Sequence, residues 1–197
     1  MKKILLGAAL SLSALIAAAT PVSINFNGYS NFAPVANTQD VQFQLLGGPI
    51  NGTPTVSSFV IDGQRLLTNS LTGGSYPTAN ILRATFDGAA DDLTFSFFNA
   101  GFSGSGGGAS FFTAYDLAGN VLQTGSLAAS ASNVVSFALT VDGVHSIEFN
   151  NNTGGASNWW FGLASLSADV NDVPEPASLA LAGLALVGLA FARRRQA

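Results

Sequence analysis

The chain has 197 residues, a formal net charge of −4 and no cysteine, so disulfides are excluded and the fold must rest on packing. Five of its seven basic residues sit at the two ends, as Lys2, Lys3, Arg193, Arg194 and Arg195. Between Thr20 and Asp172 only Arg65 and Arg83 stand against ten acidic residues, a formal charge of −8 that excludes nucleic acid as a partner, because it repels a phosphate backbone.

Met1-Lys2-Lys3 makes a basic start, Ile4 to Ala18 is an apolar run, and Ala17-Ala18-Ala19 presents the small residues that signal peptidase reads. Residues 1–19 are therefore expected to be a secretory signal helix, cleaved to leave Thr20 as the new N-terminus. The body that follows alternates polar and apolar residues over short segments, the period of half-buried strands. Strands are predicted at Ser23 to Asn27, Val41 to Leu46, Val56 to Ile61, Ile81 to Phe86 and Leu93 to Phe98. Further strands follow at Ser110 to Tyr115, Val121 to Leu127, Val134 to Val141, Ser146 to Phe149 and Trp159 to Leu166. Asp62-Gly63, Asp87-Gly88, Asp142-Gly143 and Gly119-Asn120 separate them as turns, each supplying the positive φ that a tight hairpin needs. Asn69 to Asn80 and the glycine-rich Gly101 to Gly108 read as loops. Short strands at near-regular spacing predict an all-β, antiparallel, jelly-roll-like β-sandwich over residues 20–166. Residues 167–172 read as a linker.

Chemistry-bearing motifs are few. His145 is the single histidine and follows the Asp142-Gly143 turn. No Gly-x-Ser-x-Gly elbow exposes a nucleophile. Glu148 is the one glutamate of the body, at an outward strand position, whereas glycoside hydrolysis needs two carboxylates across a cleft. Catalytic residues and cofactors are therefore not expected, and a hydrolase is the most distant reading. Asp91-Asp92 is the candidate calcium pair, since hard cations take carboxylate oxygens. In Asn158-Trp159-Trp160-Phe161, neighbouring strand residues face opposite ways, so one of Trp159 and Trp160 faces out. An exposed indole there would stack on a sugar ring.

The tail reads Val173-Pro174-Glu175-Pro176, an apolar run from Ala177 to Ala192, then Arg193-Arg194-Arg195. The run is expected to be a transmembrane helix, residues 177–192. Its 14 residues from Leu179 to Ala192 span only about 21 Å, short of the ~30 Å hydrocarbon layer. A helix this short suits a transient stop, and the arginines should stay cytoplasmic, which puts the body outside.

This three-part tail, residues 173–197, closely resembles the PEP-CTERM sorting signal of Gram-negative envelope proteins. The resemblance implies processing by an exosortase, an inner-membrane intermediate, and delivery to the cell surface or extracellular matrix. Tyr115-Asp116-Leu117-Ala118-Gly119-Asn120 is similar to a hairpin of β-sandwich bodies that precede this signal, and of lectin-like jelly rolls. Gly143, Ile147, Phe149 and Phe161-Gly162-Leu163 extend the likeness over Phe111 to Leu166. Those bodies often carry an acidic residue just after the position of Leu163, where this chain has Ala164 and Ser165. Asp116 and Asn120 are thus candidates for ligand binding and for closing the hairpin through side-chain-to-backbone bonds. The expectation is an exported, non-enzymatic protein associated with exopolysaccharide or biofilm. A carbohydrate-binding module, with or without the assistance of calcium, is the alternative.

Overall fold

A computed structural model describes residues 19–47, 50–73, 81–99, 110–127, 133–150 and 161–171. The expected signal helix and transmembrane helix lie outside them. Among the described residues the chain is all strand and turn. The strands are β1 (Thr20–Asn25), β2 (Asn37–Thr38), β3 (Val41–Leu46), β4 (Thr55–Ile61), β5 (Gln64–Thr68) and β6 (Ile81–Asn99). They continue as β7 (Ser110–Tyr115), β8 (Val121–Leu127), β9 (Val135–Ala138), β10 (Val144–Asn150) and β11 (Phe161–Asn171). Every pairing between them is antiparallel.

The 19-residue β6 organises the body, and it corrects the expectation of a hairpin at Asp87-Gly88. Its first part, Ile81 to Phe86, lies between β3 and β10. Its second part, Ala89 to Asn99, lies between β11 and β9. One layer is therefore β8–β7–β10–β6–β3–β2, and the other is β9–β6–β11 followed by β1 and β5–β4. Burial falls on Leu82, Ala84, Phe86 and Ala90, then changes phase to Leu93, Phe95 and Phe97. Asp92, at φ +50°, takes up the extra residue, the way a strand turns the corner of a sandwich. Gly88 permits this corner because any Cβ there would collide with the Asn171 carbonyl oxygen on β11.

Phenylalanines from the two layers meet between them. Phe95 stands 5.3 Å from Phe112 and 5.0 Å from Phe149, and Phe97 lies 5.2 Å from Phe149, all between ring centroids. Such pairs add about 0.5–1.5 kcal/mol each beyond the burial of their area. The structure adds β2 and β5 to the expected strands and lengthens β11, so residues 167–171, expected as linker, belong to the sheet. Thr20 pairs with Val170, which sets the start of the body beside the end of its last strand. At the other end, Asn150 pairs with Ile81 and Phe111, and Phe161 with Asn99.

Candidate functional site

The outward residues of the β8–β7–β10–β6–β3 layer form polar rows fixed by register. One row runs Gln44, Arg83, Glu148, Thr113, Thr124, and the next runs Gln42, Thr85, Ser146, Tyr115. Alternation explains both rows, since Leu45, Leu82, Ala84, Phe112, Ala114, Ile147 and Phe149 occupy the buried phase. Where the β7–β8 hairpin rises over this face, a depression of about 330 Å³ opens. Arg83, Tyr115, Ser146 and Glu148 form its floor, and Asp116, Leu117, Gly119 and His145 its wall.

Glu148 is the hub of the floor. Only 11% of its side chain is exposed, against 39% for Arg83, so the carboxylate depends on its partners for solvation. Arg83 donates to Oε1 through Nη2 and, at 2.9 Å, through Nε. The Tyr115 hydroxyl donates to Oε2 at 3.2 Å across the diagonal between strands. Burial first, and then the Glu148 charge, push the Tyr115 phenol above its ordinary value of 10.0, so it stays a neutral donor.

Asp116 shapes the wall. Its Oδ2 accepts from the Asn120 side-chain amide at 2.8 Å and its Oδ1 from the Asn120 backbone N–H at 2.8 Å. These bonds, the side-chain one foremost, hold its carboxyl below the ordinary 3.8. Backbone bonds from Asp116 N–H to Asn120 O and from Gly119 N–H to Asp116 O complete the loop, with Gly119 at φ +84°. Asp116 and Asn120 thus close the hairpin, as the side-chain-to-backbone reading expected, and Asp116 also fronts the depression. Leu117 at the tip is 65% exposed and gives the wall an apolar shoulder.

The other candidates stand elsewhere. Asp91 accepts from Gly143 N–H at 2.7 Å and from Asn171 Nδ2 at 2.6 Å, which ties the corner of β6 to its neighbours. Asp92 is exposed at the bend. Among the described residues no group of three His, Cys, Asp or Glu side chains could hold a metal ion. Trp159 and Trp160, and the sorting residues Val173 to Pro176 and Arg193 to Arg195, lie outside the described residues.

His145, Ser146 and Asp116 share the depression without forming a relay. His145 Nδ1 lies 3.4 Å from the Gly88 carbonyl oxygen, and Asp116 holds Asn120. Sequence reasoning did not select Arg83, and it named Tyr115 and Leu117 as part of the hairpin motif without giving them a binding role. The signal available was scarcity, since Arg83 and Glu148 are half of the body's basic residues and its lone glutamate, both on outward strand positions.

Comparisons with known proteins bear mainly on the tail. Two fucose binding modules of Streptococcus pneumoniae align with TM-scores of 0.35 and 0.32 and 13% identity, over 46% and 45% of this chain. The chain spans 63% and 65% of those two modules. A carbohydrate binding module from Cellvibrio mixtus lichenase 5A, in complex with cellotriose, aligns with a TM-score of 0.31 and 12% identity, over 75% of this chain and 95% of that one. The sandwich is established by its own strand pairing rather than by these alignments. No curated protein matches the chain. A protein-family model for the PEP-CTERM protein-sorting motif matches residues 172–195. The tail read from its prolines, apolar run and arginines is therefore a PEP-CTERM sorting motif, which implies exosortase processing and sorting toward the envelope of a Gram-negative bacterium.

Proposed function

We propose that this is an exported protein, carried to the cell surface or extracellular matrix by its sorting motif, whose body binds polysaccharide of that matrix without catalysis. Signal peptidase removes residues 1–19, the 177–192 helix holds an inner-membrane intermediate, and an exosortase processes the tail. The depression on the outer β8–β7–β10–β6–β3 face is the binding site, and its hydrogen-bonding inventory carries the reading.

Arg83 spends Nε and Nη2 on Glu148, which leaves Nη1 as a donor. Tyr115 donates to Glu148, and beside Thr113 its oxygen can still accept. Ser146 adds a hydroxyl that does both. With its proton on Nδ1 toward Gly88, His145 offers Nε2 as an acceptor. Adjacent donors and acceptors beside the apolar Leu117 match a sugar, whose vicinal hydroxyls donate and accept while its ring C–H face is apolar. A volume of about 330 Å³ is at the lower end for small-molecule sites and suits one or two sugar residues. His145 enters no relay with Ser146, and with Glu148 neutralised by Arg83 the site keeps Asp116 as its one unpaired carboxylate, against the two that glycoside hydrolysis needs.

A glycan array probed with processed protein recovered from the cell surface, with and without calcium, tests this. Retention on one glycan class that Tyr115→Ala and Arg83→Ala each weaken at least tenfold is the expected result. Binding indifferent to both substitutions would remove the site from the floor of the depression.

A further inference from the structure

We infer that the depression selects uncharged saccharides and discriminates against those bearing carboxylate, sulfate or phosphate groups, an inference that rests on the saccharide-binding reading above. Among the described residues Arg83 is the one Lys or Arg side chain that lines it. An anion seeking that guanidinium meets Glu148 already in place, with Nε and Nη2 committed and Tyr115 closing the far oxygen. Displacing Glu148 would leave a buried carboxylate without its cation, a far larger loss than a new surface contact returns.

The mouth adds a second negative charge. Among the described residues Asp116, which lines the depression, forms no ion pair, and its bonds from Asn120 favour the ionised form. Counting Arg83, Glu148 and Asp116 with a neutral His145, the site carries a formal charge of −1 within a body of −8. Arg65 does not offset it, because it stands on β5 in the other layer and holds Asn31 and Ser57. A saccharide anion some 4–8 Å from Asp116 in water is disfavoured by about two- to fivefold, and salt screens that penalty. Neutral hydroxyls meet no such cost and still find the donors and acceptors of the floor.

The test uses processed protein recovered from the cell surface and matched ligands: neutral glucan, mannan and galactan, each paired with the same polymer oxidised at C6 to the carboxylate. Affinity electrophoresis at low salt should show the neutral member bound at least two- to fivefold more tightly, with the gap narrowing toward 1 M salt. Asp116→Asn keeps an acceptor for the Asn120 N–H and should shrink the gap. Glu148→Gln frees the Arg83 charge and should turn the preference toward the oxidised member. Equal or tighter binding of the oxidised polymers by the unaltered protein, or an unchanged preference in Glu148→Gln, overturns the inference while leaving saccharide binding intact. Failure of every polymer to bind defeats the saccharide-binding reading itself, and this inference with it.

Discussion

Glu148 lies on the outward phase of β10 yet is nearly covered, because Arg83 and Tyr115 fold over it from the neighbouring strands. Truncating it to alanine leaves a part-exposed arginine and a phenol without their shared acceptor. Because Arg83 still reaches water, the loss should be about 1–3 kcal/mol, less than for a fully buried pair. Urea unfolding of the Glu148→Ala variant measures it, and an unchanged midpoint would show the pair to be ornamental. Asp116 makes a separate prediction. Its folded carboxyl is held below 3.8, so its contribution is complete above that value and is lost as pH falls through the lowered folded value. The melting-temperature gap between wild type and Asp116→Ala should therefore be flat near neutrality and narrow in acid; a gap that widens on acidification would contradict the hairpin bonds. The sequence made this hairpin legible because Asp116 and Asn120 are local to each other. It left Arg83, Glu148 and Tyr115 unassembled because their meeting depends on register between β6, β10 and β7, which no local pattern states.

At the level of the strands, period-two alternation was a faithful guide wherever one face meets the core and the other meets water. β3, β7 and β8 fall at the residues the pattern gives. β5 escaped it because Leu66, Leu67 and Thr68 are all buried: Leu67 faces the main core, and Leu66 packs with Phe98 and Ala164 in a second cluster. The same loss of alternation in Phe161 to Ala164 blurs the start of β11. Asp87-Gly88 misled for another reason, since a glycine needed for close approach looks in sequence like a glycine needed for positive φ. Asp62-Gly63 does form the tight β4–β5 turn, at φ +50° and +73°. Gly88 instead admits the Asn171 carbonyl. Gly88→Ala is expected to push β11 away from the corner and to cost about 1–3 kcal/mol, whereas Gly119→Ala meets no atom and costs only the backbone strain of its positive φ. Paired denaturation curves should show Gly88→Ala to be the more damaging; the reverse order would place the corner elsewhere.

Over the whole molecule, the two ends of the body meet where β1 lies along β11. Thr20, the expected first residue after signal peptidase, is also the first residue of β1, and Asn171, the last of β11, stands just before the PEP-CTERM match that begins at residue 172. The expected export segment and the sorting motif thus flank the sandwich at one place, and on the proposed export route the first strand pairs only once the last has crossed the membrane. N-terminal sequencing of the exported form should return Thr20; a start after Val22 would remove part of β1 and contradict this arrangement. The most direct test of the sorting claim replaces Pro174, Glu175 and Pro176 with alanine in an exosortase-bearing host. The two prolines keep the segment extended and withhold backbone donors, whereas alanines would let the apolar helix run through it. Fractionation with immunoblotting should then find the variant exported but unprocessed, held in the inner membrane by Arg193 to Arg195. Arrival at the cell surface in wild-type size and amount would contradict sorting through this motif.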